Sequence, residues 1–270
     1  MSLLKISHLT LRAGSTTLVD DVSFTVSAGE RLGLVGESGS GKSMTALAAL
    51  GLLPDAVTAW GSVILDGHEF VGTSDAAVRG LRGSVASIVF QEPLTALNPL
   101  MRVGKQIAEP LRRHLGLRGD ALRAAVTQGL ADVALEDPRI ARSYPHELSG
   151  GQRQRVAIAI ALAANPRLLI ADEPTTALDV TVQDGVLTLL ERLVAERGMA
   201  LLFISHDLAV VSRMVEEALV LRQGVVVEEG AVTQLLRAPQ RPYTRALVDS
   251  ARYLDAALDV PRSTTGEATQ

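Results

Sequence analysis

The stretch Gly36-Glu-Ser-Gly-Ser-Gly-Lys-Ser43 constrains this chain more than any other eight residues in it. It follows an apolar run of strand length that ends at Val35, and it precedes Lys42 to Leu53, which reads as a helix ended by Pro54. Gly36-x4-Gly41-Lys42-Ser43 between a strand and a helix is the pattern of a phosphate loop. Its glycines permit a turn whose backbone N–H groups wrap the α- and β-phosphates of a nucleotide at the positive end of the helix. Lys42 is then expected to reach the β- and γ-phosphates, and the Ser43 hydroxyl to ligate Mg²⁺. Glu37, Ser38, Gly39 and Ser40 complete the expected contact. A plain glycine turn would need neither the lysine nor the serine.

A loop of this kind requires a sheet behind it. The first thirty residues alternate apolar and polar, with Gly14 and Ala28-Gly29 as turns, which predicts half-buried strands. Further strands are predicted at Leu32 to Val35, Ser62 to Leu65 and Ser87 to Phe90. From Met101 to Ala164 the spacing becomes helical, with candidates at Val103 to Leu115, Ala121 to Ala134 and Gly151 to Ala164. Leu168 to Ala171 and Ala200 to Ile204 are continuous apolar runs on either side of a helical stretch from Val180 to Arg197, a βαβ unit with a parallel sheet. The tail after Val260 is polar and low in apolar residues, and disorder is expected there. No internal repeat is present.

Composition narrows the setting. With 270 residues, 47% of them hydrophobic, the chain can bury a sizeable core. A net charge of −4 gives no global attraction to nucleic acid or an anionic membrane. The absence of cysteine excludes disulfides, iron–sulfur clusters and thiolate zinc sites, and suits a reducing compartment. Met1 to Ile6 lacks the regions of a signal peptide, so no export is expected. The longest apolar run, Val156 to Ala164, has about half of the ~20 residues a membrane span needs. A mean hydropathy of +0.23 without a span implies surface that partners cover.

Two further motifs carry chemistry. Leu168-Leu-Ile-Ala-Asp172-Glu173-Pro174 is an apolar strand ending in adjacent carboxylates, where α/β sheets bind ligands. Asp172 can enter a Mg²⁺ shell while Glu173 faces another atom, the attacking water. Leu148-Ser-Gly-Gly-Gln152 opens a helix with Ser149 as a natural N-cap, a second anion-binding helix start. One nucleotide rarely needs two such helices from one chain.

The phosphate loop, Gln91, Leu148 to Gln152, Asp172-Glu173, Ala177-Leu178-Asp179 and His206, taken in order, resemble the nucleotide-binding domain of ATP-binding cassette (ABC) transporters, whose signature is Leu-Ser-Gly-Gly-Gln. The resemblance covers nearly the whole chain. It implies an α/β phosphate-loop NTPase fold with a parallel core sheet, an N-terminal antiparallel β-subdomain and an inserted helical subdomain at about 95–163, within a domain of 1–258 followed by a tail at 259–270. It further implies ATP and Mg²⁺ as ligands and head-to-tail dimers, in which Ser149, Gly150, Gly151 and Gln152 of one chain close over the ATP of the other. By the same resemblance Gln91 touches Mg²⁺ and the attacking water and reports to membrane subunits. Glu173 is the general base, His206 the switch residue on the γ-phosphate, and Asp179 organises the loop between the two sites. One position departs from the pattern: Ala13 stands before Gly14, where an aromatic commonly stacks on adenine, so weaker adenine discrimination is expected.

Phe90 to Pro99, Tyr144 to Leu148, Asp179 to Gln183 and Arg241-Pro-Tyr-Thr-Arg-Ala-Leu247 resemble the ATPase subunits of dipeptide, oligopeptide and nickel importers. That branch implies a second ATPase subunit, two transmembrane permeases and an external binding protein as partners, and a peripheral place on the cytoplasmic face of the inner membrane. Peptide is the first expected solute, and nickel or a metal chelate the second. A soluble cassette acting on DNA or the ribosome is disfavoured by the short segment between Ser43 and Leu148, and a non-catalytic module by the complete constellation. The basic excess at Arg102, Lys105, Arg112, Arg113, Arg118 and Arg123 reads as a solvated helical face, and no nucleic-acid partner is expected, since no aromatic interleaves the charges.

Overall fold

A computed structural model describes residues 2–91, 96–176 and 178–258, with side chains through Ser250. The expected tail at 259–270, Ala177, and Glu92 to Thr95 of the branch motif lie outside the described residues.

β1 (Ser2–Ala13) and β2 (Thr16–Ser27) form an antiparallel hairpin to which β4 (Val57–Leu65) and β5 (His68–Glu69) add, giving a sheet of order β2-β1-β4-β5. Ile6 and Leu9 are three residues apart, which regular pleating would send to opposite faces. A register shift between them, with His8 in the left-handed region at φ 50°, lets both reach the same apolar cluster.

The second sheet has the order β10-β9-β3-β8-β7-β6. β3 (Arg31–Val35), β6 (Ala86–Val89), β7 (Leu168–Asp172), β8 (Ala200–Ser205) and β9 (Glu217–Arg222) are parallel, and β10 (Val225–Ala231) runs antiparallel to β9. Its inner strands β3, β7 and β8 are buried on both faces, which is why they read as unbroken apolar runs. Leu168, Ile170, Leu202 and Ile204 join the cluster shared with the N-terminal sheet. Leu169, Ala171, Leu201 and Phe203 face a second cluster on the helical side.

That second cluster receives α3 (Val103–Leu115), α4 (Gly119–Asp132), α5 (Gly150–Leu162) and α6 (Val180–Glu196) through Ile107, Leu111, Val126, Leu130, Val156 and Leu190. Arg112 and Arg123 of the basic stretch pair with Glu109 and Asp120 on exposed helical surface, as a solvated face requires.

α1 (Lys42–Ala49) ends four residues before the predicted Leu53. Pro54 is not what stops it. Gly51 adopts φ 59°, its N–H bonds Ala48 O at 3.0 Å and Leu52 N–H bonds Leu47 O at 2.9 Å, the paired contacts of a glycine-terminated helix. A short α2 (Asp75–Val78) follows, while α7 (Leu208–Met214), α8 (Val232–Arg237) and α9 (Pro242–Leu258) are the helices after β8 among the described residues.

Candidate nucleotide site

The register of the parallel sheet brings Val35, Asp172, Ser205 and Arg222, each the last residue of its strand, to one edge. The loop after β3 needs glycine for a steric reason at two positions. A Cβ on Gly36 would stand 2.2 Å from Leu221 O, and one on Gly41, at φ 101°, would stand 2.8 Å from Leu18 O. The backbones of β9 and β2 press directly on the loop.

Lys42 is 4% exposed and folds back over this turn, donating from Nζ to Gly36 O at 2.6 Å and to Glu37 O at 2.9 Å. Burial holds its pKa below the ordinary lysine value, opposed by the nearby carboxylates of Glu173, Asp172 and Glu37. A phosphate oxygen entering the loop would offer this ammonium a charged acceptor in place of two neutral ones.

Ser43 Oγ donates to Asp172 Oδ1 at 3.0 Å. Asp172 is buried, and burial raises its pKa against the opposing hydrogen bond from Ser43. Among the described residues no group of three or more His, Cys, Asp or Glu could cage a metal. One hydroxyl and one carboxylate in contact are instead the sparse oxygen donor set that suits Mg²⁺, which keeps waters and takes phosphate oxygens from its nucleotide.

Glu173 occupies the left-handed region at φ 46°, a conformation costing about 1–3 kcal/mol for a residue with a side chain. Its surroundings hold it there. Its N–H bonds Ile204 O at 2.9 Å, and its Oε2 accepts from Thr176 Oγ1 at 2.9 Å and from Gln91 Nε2 at 3.3 Å. His206 Nδ1 lies 3.2 Å from the same oxygen, and Lys42 Nζ lies 3.8 Å from Oε1. The carboxylate is thus the meeting point of loop, strand end and histidine.

These groups surround a cleft of about 640 Å³ lined by residues 37–44 together with Leu18, Gln91, Glu173, Thr176 and His206. Such a volume admits a nucleotide. Thr176, together with Tyr243 and Leu247 of α9, is a contributor not singled out individually from the sequence; Tyr243 and Leu247 lay in the Arg241–Leu247 stretch, whose signal gave no role. Tyr243 Oη accepts from Glu37 N–H at 3.0 Å, and Leu247 lines the cleft.

Ser149, Gly150, Gly151, Gln152 and Asp179 do not line that cleft. Ser149 caps α5, with Gln152 N–H donating to its Oγ at 3.3 Å and Gln152 Oε1 accepting from its N–H at 2.9 Å. Asp179 caps α6 by accepting from Val182 N–H at 3.0 Å. The two helix starts pack tightly, for a Cβ on Gly151 would lie 2.5 Å from Val182 Cγ1. The starts of α1 and α5, both expected from the sequence to bind anions, therefore do not share one cleft.

Residues 19–176 match the family model described as ABC transporter. The chain is similar to a putative peptide import ATP-binding protein of Brucella melitensis, 46% identical over 260 residues that cover 93% of this chain and 77% of the relative. It is also 46% identical to a peptidoglycan transport ATP-binding protein of Agrobacterium fabrum, over 88% of this chain and 44% of that one. Among solved structures it is similar to a dimeric ATP-binding cassette in a post-hydrolysis state with ADP and phosphate, with a TM-score of 0.74 and 32% identity over 85% of this chain and 98% of that one.

Proposed function

This chain belongs to the ABC transporter family, and on that premise we propose that it is the ATP-hydrolysing subunit of an importer that takes up di- and oligopeptides. The peptide assignment draws on the name of the Brucella melitensis relative and on the branch motifs. The observation that carries the catalytic reading is the convergence of Gln91, Thr176, His206 and Lys42 on the Glu173 carboxylate at the mouth of the phosphate-loop cleft.

In this reading the loop amides and Lys42 bind the β- and γ-phosphates, and Lys42 exchanges its two loop carbonyls for phosphate oxygens. Ser43 and Asp172, with Gln91, hold Mg²⁺, which neutralises charge on the phosphates when bound. Glu173 takes the proton of the attacking water. Thr176 and His206 keep its carboxylate in one orientation, and His206 also offers a nitrogen to the γ-phosphate. Ser149, Gly150, Gly151 and Gln152 close over the nucleotide of a second cassette, and Asp179 ties the two sites together. Gln91 passes the resulting motion to two permeases on the cytoplasmic face of the inner membrane, which an external binding protein loads. Among the described residues no helix is long and apolar enough to cross a membrane.

The test is to tag the Glu173→Gln variant, purify it with ATP and Mg²⁺ from detergent-solubilised membranes of its host, and identify the co-purifying chains. Two permeases and a cassette partner are expected. A soluble complex with ribosomal or DNA-bound factors would overturn the transport reading. Growth of a deletion strain on peptides, set against its nickel uptake, then decides the solute.

A further inference from the structure

The peptide unit between Gly36 and Glu37 is held at both ends by side chains. Its carbonyl, Gly36 O, accepts from Lys42 Nζ at 2.6 Å, and its N–H, on Glu37, donates to Tyr243 Oη at 3.0 Å. The two anchors differ in what they do next. Lys42 is the group expected to leave for a phosphate, and when it leaves, the oxygen end of the peptide loses its cation. Tyr243 comes from α9, 206 positions along the chain, and has no such second duty.

Tyr243 is itself well fixed. It is 9% exposed, its ring lies under the Arg222 guanidinium at 4.9 Å, and its helix packs into the helical-side core through Val248. Arg222 follows Leu221, whose carbonyl forbids any Cβ on Gly36. The end of β9 therefore fixes the same peptide twice, once by direct pressure on Gly36 and once through the tyrosine.

We propose that Tyr243 is a positioning residue of the nucleotide site, whose hydroxyl holds the Gly36–Glu37 peptide in the orientation that keeps the phosphate loop open to phosphate after Lys42 has turned to the ligand. The proposal rests on the ATP-binding reading above and adds the C-terminal helix to the site. The group it acts on is the phosphate part of the nucleotide, so the base is irrelevant to its effect.

The test compares the wild-type chain with Tyr243→Phe, which keeps the ring and its stacking on Arg222 and removes only the hydroxyl. Dissociation constants are measured for ATP and for inorganic pyrophosphate, with Tm and the steady-state constants alongside. The expected result is a weakening of about two- to twelvefold, the worth of one hydrogen bond, equal for ATP and pyrophosphate. KM should rise by a similar factor with kcat kept within about twofold, since the hydroxyl acts on binding and not on the water. Unchanged binding with a lowered Tm would make the hydrogen bond structural only and overturn the proposal. So would a loss confined to ATP. Lys42→Ala separates the two levels: if it binds ATP like wild type, the phosphate-loop reading itself fails, whereas loss in Lys42→Ala with no effect in Tyr243→Phe refutes the tyrosine alone.

Discussion

Gly151 has two competing explanations, and a double-mutant cycle with Val182 decides between them. As part of an anion-binding helix start, glycine would be there to let a partner's phosphate approach. The packing of α5 on α6 offers another reason, since a Cβ would lie 2.5 Å from Val182 Cγ1. A normal contact of about 3.5–4.0 Å would require Val182, stiff at χ1, or its helix to move by about 1 Å. Overpacking of this kind costs about 1–3 kcal/mol. Against it stands the helix propensity of alanine over glycine, at most about 1 kcal/mol. Gly151→Ala alone should therefore be destabilising by up to about 2 kcal/mol, a fall in Tm of about 4–8 °C for a chain of this size. In a Val182→Ala background the clash vanishes and only the propensity gain remains, so the same substitution should become neutral or stabilising. The coupling energy, about 1–3 kcal/mol, is read from urea unfolding of the four proteins. Equal effects of Gly151→Ala in both backgrounds, within about 0.5 kcal/mol, would refute the packing argument. ATPase activity that stays low in the double variant, after stability has returned, would assign the glycine to the dimer site as well.

Three further outcomes follow from the site. Glu173→Gln should bind ATP as wild type does but hydrolyse it about 10²–10⁴-fold more slowly, the usual worth of a general base; single-turnover rates near wild type would remove Glu173 from that role. Burial raises the Asp172 pKa above its ordinary 3.8, so the folded chain keeps this proton to higher pH than the unfolded chain does, and nucleotide-free stability falls as pH rises from 3.8 through the raised value. Mg²⁺ favours the ionised form, so the extra Tm given by Mg²⁺·ADP over ADP should grow with pH across that window and become flat in Asp172→Asn; a flat profile in wild type would exclude the carboxylate as a ligand. Finally, with Ala13 where an aromatic would stack, ATP and GTP should bind within about tenfold of each other, and Ala13→Tyr should tighten ATP by about fivefold or more, the low end of the ~1–3 kcal/mol that base stacking is worth. Competition binding measures both, and a wild-type preference beyond tenfold would show that another group reads the base.

What could be read from the sequence was whatever one short segment determines. The strand, turn and helix around Gly36 to Ser43 are legible because the pattern dictates all three. The βαβ unit from Leu168 to Ser205 is legible because strands buried on both faces are continuously apolar. The end of α1 is not legible, because Pro54 suffices as a stop in the sequence while the helix stops three residues earlier at Gly51, through a hydrogen-bond pair invisible in composition. β9 and β10 were not foreseen, and β10 shows why: it is an edge strand with no fully buried residue, so it carries little periodic signal. Tyr243 was legible only as part of an unexplained stretch, because its partner Glu37 is 206 positions away.

The same distinction between local and distant determinants governs the site's chemistry. Glu173 alone is a carboxylate at a strand end in an unfavourable backbone conformation. It persists there because Ile204 fixes its amide while Thr176 of its own loop, Gln91 beyond β6 and His206 beyond β8 surround its side chain. Removing any one of the three side chains leaves the backbone strain in place and loosens the carboxylate that the strain aims. The Glu173 carboxylate, the base in the proposed function, is therefore oriented only while β6, β7 and β8 keep their register, and movement of the segment carrying Gln91 reaches it directly. On the proposed function, coupling to a permease needs no longer wire than that: a shift of Gln91 large enough to break a 3.3 Å contact changes the hydrogen bonding of the Glu173 carboxylate.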